Sequence, residues 1–173
     1  MPKPLQGTYP KEFHNYISQV PQDDLDTAFA QQQKIVDEFF PAIVTKADYA
    51  YAAGKWTLKE MLQHIIDGER IFNYRALAIA RKETISLPGF EENMYAANSN
   101  ANARDWEDLC EEFKTVRKST VYLYNSFTDA MLSQMGTANN NPVMVAAIGF
   151  TTIGHLYHHK KVIEERYLPE VGV

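Results

Sequence analysis

One cysteine, Cys110, stands in the whole chain, so no disulfide can form within it. That scarcity suits a reducing compartment. The thiol sits among Leu109, Glu111 and Phe113 in a helical pattern and is expected to be packed rather than reactive. Long apolar runs are also missing. A membrane span needs roughly 18 apolar residues. The longest candidate, Val143 to Ile153, is short and interrupted by Gly149, Thr151 and Thr152. The opening MPKPLQGTYP has no apolar stretch of the signal-peptide kind, so a cytoplasmic location without a membrane partner is expected. Positive charge is scarce as well: 17 Lys and Arg against 22 Asp and Glu leave a net charge of −5. Affinity for nucleic acid rests largely on Lys and Arg at phosphates, and there is no basic run or zinc-finger spacing, so a nucleic-acid partner is not expected. No alternating strand pattern, internal repeat or low-complexity tract is visible.

What the chain does have is enough apolar material for a core. Its 173 residues, 45% hydrophobic and 23% charged, read as one domain over 1–173 with an N-terminal arm of about 1–20. Four stretches carry helical periodicity. The first follows Pro21, with Asp23 and Asp24 at a helix start and Leu25, Phe29, Val36, Phe40 and Ile43 as its stripe; Pro41 should kink or end it. The second opens on Thr57-Leu-Lys-Glu60, a capping box in which each end residue satisfies the other's backbone amide. Leu58, Met61, Leu62, Ile65, Phe72 and Ile79 form its buried side, and Arg81 and Lys82 suit its end. A turn-rich crossover of roughly 20 residues, Glu83 to Arg104, is longer than most connections and is expected to be functional or a plain link between bundle helices. The third helix starts at Asp105, with Trp106, Leu109, Phe113, Val116 and Leu123 on its apolar side. SQMGTANNNP reads as a second loop, with Asn141 capping a fourth helix and Pro142 at its first position. That helix should stop before Pro169. The expected fold is an all-α four-helix bundle with a long crossover between helices 2 and 3.

The chemistry lies in the five histidines. His155 and His159, in GHLYHHKK, are spaced i and i+4, which puts both rings on one helix face and able to grip one ion. His158 is turned away from His159 by roughly 100°. A third ligand must come from another helix, and His64, with Met61, Ile65 and Ile71 around it, is the good candidate; His14 lies in the N-terminal arm. Spacing alone also allows three hydrogen-bonded core histidines. The zincin pattern is absent, because Leu156 stands where its glutamate would be. Glu60 and Asp67 flank His64 on the helix wheel. Glu60 is occupied by the capping box, which leaves Asp67 as the acid–base candidate. Glu69, Arg70, Arg75 and Arg117 read as ion pairs bracing helices or as pocket rim, while Tyr49 and Tyr157 fit either a pocket wall or the core.

GKWTLKEMLQHIIDGERIFNYRALAIAR, LPGF, DLCEEFKTVRKST and GHLYHHKKVIEERYL together resemble the DinB/YfiT-like superfamily over roughly Tyr16 to Leu168. The W-T-L-K-E-x-x-x-H and G-H-x-x-H-H blocks are the most specific pieces. The resemblance implies a four-helix bundle with a histidine triad, here His64, His155 and His159, holding one divalent metal, nickel or zinc. It also implies that the chain is a homodimer. Relatives include metal-dependent hydrolases by prediction, thiol transferases that use bacillithiol or mycothiol, and a mycothiol-dependent isomerase. The function expected is a metal-dependent hydrolase or thiol S-transferase acting on a small-molecule substrate. The alternative is a non-catalytic metal-binding or stress-related helical interaction protein. No motif marks a thiol substrate.

Overall fold

The computed structural model describes residues 1–168. Its helices are α1 (Lys11–Ile17), α2 (Leu25–Lys34), α3 (Phe40–Ala42), α4 (Leu58–Ala80), α5 (Glu92–Asn98), α6 (Trp106–Asn125), α7 (Asp129–Leu132) and α8 (Val145–Val162). A hairpin of β1 (Met135–Ala138) and β2 (Asn141–Met144) precedes α8. The bundle is formed by α2 with its continuation into α3, then α4, α6 and α8, and α4 packs on both α6 and α8.

Local signals explain most of the boundaries. Asp24 caps α2 by accepting the Thr27 amide at 3.1 Å. The capping box at α4 is complete: Thr57 N donates to Glu60 Oε2 at 2.8 Å and Glu60 N to Thr57 Oγ1 at 3.2 Å. Pro41 has no N–H and its ring crowds the carbonyl four residues back, so the helix widens to a π-turn over Ile35–Phe39 and ends at Ala42. α8 likewise runs into a π-turn at Ile163–Tyr167. Pro169, expected to lie beyond the helix end, falls outside the described residues.

Three sequence expectations are corrected. The segment read as an N-terminal arm carries α1, which packs along α8. The Glu83–Arg104 crossover is not all turn: it folds into α5 and a short 3-10 turn at Ala101–Ala103, and Glu91 caps α5 through the Met94 amide at 2.9 Å. The loop before the last helix is the β-hairpin, so Asn141 and Pro142 lie in β2 and α8 begins at Val145 after Met144. Asn139 and Asn140 both adopt left-handed conformations, φ 48° and 60°, which is the two-residue hairpin turn that matches strand twist. Tertiary contacts complete the hairpin. Val143 is buried, and Leu87 of the crossover donates to Thr137 O at 3.0 Å while accepting the Asn139 amide at 2.8 Å.

The core divides in two. One apolar cluster joins α1, α2, the hairpin, the last turns of α4 and the first turns of α8. The other joins α3, the first turns of α4, most of α6 and the last turns of α8. Between them runs a buried polar belt of Gln32, Glu69, Arg117, Thr120 and His155. Arg117 donates Nε and Nη2 to the two Glu69 oxygens, each at 2.8 Å, and Nη1 to Gln32 Oε1 at 2.7 Å. Gln32 in turn donates to Ile153 O at 2.8 Å. Gln32, Arg117, Glu69 and Thr120 each have a partner in this network, so its charges can sit inside the bundle.

Candidate metal centre

α4 brings His64 to the same point at which α8 presents His155 and His159. The three Nε2 atoms are 3.0 Å (His64–His155), 3.2 Å (His64–His159) and 3.0 Å (His155–His159) apart. All three side chains are buried, at 4%, 6% and 8% exposure. Gly68 makes room for this, because a Cβ there would sit 3.2 Å from His155 Cε1. An aromatic shell holds the rings: Trp56 lies 4.9 Å from His64 between ring centres, and Tyr16 and Phe72 lie edge-on to His155 at 5.5 and 5.7 Å.

Burial keeps the imidazoles neutral. It pushes His64 down to about 4 and, with the neighbouring histidines adding to the effect, holds His155 and His159 well below the ordinary value. Three neutral rings meeting through the same nitrogen cannot satisfy one another. A proton on one Nε2 serves one neighbour well and leaves lone pair facing lone pair at the other. A cation resolves this. Nitrogens bonded to one ion at about 2.0–2.1 Å, with angles between octahedral and tetrahedral, lie about 2.8–3.4 Å apart. The observed spacing fits that range, and neutral imidazole is the ligating form. His159 Nδ1 is buried without a hydrogen-bond partner, so packing rather than an outer carboxylate sets that ring's orientation.

Other sequence candidates lie elsewhere. His158 stays out of the triad and stacks edge-on with Tyr16 at 5.5 Å. His14 sits on α1 beside Tyr9 and Gln6. Asp67 is half-buried on α4, accepts from Gln63 Nε2 at 2.9 Å and faces Arg70 at 3.8 Å; burial raises its pKa. It belongs to a network with Arg70, Arg104 and Glu112 between α4 and α6. Glu60 is held in the capping box. Cys110 is buried, which pushes its thiol up to about 11 and leaves it unreactive. Tyr49 is largely exposed and Tyr157 packs at the edge of the first core cluster.

Above the triad lies a cavity of about 400 Å³, lined by His64 and His155 below, Phe13, Tyr16 and Phe72 on one side, and Arg75, Phe90 and Asn139 towards the crossover and hairpin. Asp67 is not in this lining. Tyr16, Phe13 and Trp56 were missed from sequence, because their placement depends on α1 and the loop before α4 folding over the bundle. Only Gly154, next to His155, hints at a close approach: a Cβ there would fall 2.1 Å from Tyr16 O.

No helix among the described residues is long and apolar enough to cross a membrane. The fold is similar to that of YfiT from Bacillus subtilis, described as a probable metal-dependent hydrolase with an unusual four-helix bundle topology; the identity is 16%, the TM-score 0.69, and the match covers 96% of this chain and 91% of that one. No curated protein matches the sequence. A family model, the DinB superfamily, matches residues 10–163, the span that holds α4, the crossover, the hairpin and all three convergent histidines. By that match, the chain belongs to the DinB superfamily.

Proposed function

We propose that this chain is a metal-dependent enzyme of the hydrolase or thiol S-transferase kind, acting on a small molecule in the cavity above His64 and His155. The observation that carries the reading is the convergence of three buried Nε2 atoms, 3.0 to 3.2 Å apart, two of whose rings, His64 and His155, line that cavity. Three protein nitrogens are the ligand number of catalytic sites that keep a coordination position open. A divalent ion held there, nickel or zinc, polarises a carbonyl and acidifies a water or thiol.

The chain's own residues supply the rest. His64, His155 and His159 are held neutral and bind the ion. Phe13, Phe72 and Phe90 give the cavity apolar walls that exclude water around a small ligand. Tyr16, whose hydroxyl is kept protonated by burial and by nearby Glu92, is a donor on the cavity wall. Asp67, the acid–base candidate on α4 with a raised pKa, lies outside the cavity lining and would act on the site through its neighbours rather than touch the ligand.

Elemental analysis of purified protein tests the metal: close to one equivalent of nickel or zinc per chain is expected. His159→Ala should lower metal content well below that of His158→Ala; equal losses would break the assignment of faces. A panel of simple esters, amides and thiol acceptors with bacillithiol or glutathione tests the reaction. Turnover that disappears on chelation supports the enzyme, and metal without turnover across a broad panel favours a binding role.

A further inference from the structure

Two arginines are buried among the described residues, Arg75 and Arg117. Their surroundings differ. Arg117 is neutralised by Glu69 through two hydrogen bonds. Arg75, at 5% exposure, touches no carboxylate of the described residues. Its Nη2 donates to Pro88 O at 2.7 Å, its Nε is buried with no partner, and Phe90 lies 5.9 Å from its Cζ. A guanidinium carries five N–H donors in a planar fork, so this one has donors to spare beside an uncompensated buried charge. Burying such a charge is costly unless something pairs with it.

The cavity decides what that partner is. Arg75 lines the same space as His64 and His155. It follows His64 on α4 by eleven residues, close to three turns, so the two share a face about 16 Å apart along the axis. Both side chains lean towards the helix N-terminus, so the separation stays close to three turns. Phe13, Phe72 and Phe90 wall the interval. Glu12, Glu91 and Glu92 stand exposed around the mouth, a negative rim that opposes ligands of several negative charges.

We propose that Arg75 is the anchor for a carboxylate on the ligand of this cavity: a small molecule with one carboxylate, an apolar body, and its reactive group towards the histidines. This deepens the metal-enzyme reading and names its substrate class as a monocarboxylate. The fork geometry of Arg75 matches the two carboxylate oxygens.

Calorimetric titration with 3-phenylpropionate, its amide and phenyl phosphate, on metal-loaded and chelated protein, tests this. The carboxylate should bind at least about tenfold more tightly than the amide, as expected for a charge-assisted pair, and more tightly than the phosphate. Arg75→Gln should bring the carboxylate-to-amide ratio to about one, and Arg75→Lys should retain part of it. The preference should survive chelation. Equal binding of acid and amide by the wild-type protein, an unchanged ratio in Arg75→Gln, or tighter binding of the phosphate would overturn the proposal. So would a preference that vanishes with the metal, since the anion would then sit on the ion. Metal content measured on each sample separates the two readings. Protein that takes up no metal on loading yet prefers the acid keeps Arg75 and sinks the metal centre; loaded protein with no preference does the reverse.

Discussion

At the scale of single residues, the polar belt is the least forgiving part of the molecule. Glu69 and Arg117 are almost wholly buried, at 2% and 0% exposure, and Thr120 Oγ1 lies 2.5 Å from Glu69 Oε1. Removing one member leaves the other charged and dry. Glu69→Ala should therefore cost about 3–5 kcal/mol, read as a lowered denaturation midpoint in urea. A loss below about 1 kcal/mol would mean that water reaches Arg117 and screens it. Asp67 sits differently, half-buried and within reach of Arg70 and Gln63. Asp67→Asn should leave metal content intact, and a fall in turnover at constant metal would assign it the acid–base role.

Elements are joined by close approaches that one methyl group upsets. α1 lies on α8 at Gly154, where a Cβ would meet the Tyr16 carbonyl at 2.1 Å. Backbone on both sides cannot yield as a flexible side chain would. Gly154→Ala should push α1 away, cost about 1–3 kcal/mol, and expose the segment before Leu25 to protease, seen as faster N-terminal cleavage with the bundle left intact. The capping box is a milder case: Thr57→Ala loses one accepted amide and should cost about 1 kcal/mol in thermal or urea melts. The hairpin shows how an element escapes pattern reading. Met135–Ala138 and Asn141–Met144 have too few residues to alternate clearly, and Pro142 after an asparagine reads as a helix start. Two left-handed asparagines and the docking of Leu87 override that local preference.

For the whole molecule, the triad couples folding to protons and to metal. His64 titrates near 6.5 in an unfolded chain and at about 4 in the folded metal-free one. Between those values the unfolded chain binds the extra proton, so stability is present above about 6.5 and is lost as the pH falls towards 4. His155 and His159 shift in the same direction. The melting temperature of metal-free protein should fall steadily across that window, and His64→Gln should flatten the fall. A metal held by the triad would bind only its deprotonated, assembled form, so loading should raise the melting temperature and acid should release the ion.

The four long helices, the capping box, the Pro41 break and the histidines that could meet were legible because each depends on periodicity or on neighbours a few residues away. His155 and His159 share a face by helical geometry alone. The arrival of His64 between them was a long-range event, made by packing α4 on α8, and resemblance rather than spacing selected it. The cavity, the Tyr16 and Trp56 walls and the unpaired charge of Arg75 come wholly from tertiary structure. They need α1, the crossover and the hairpin to close over the bundle, and no local pattern encodes which distant segment covers which face.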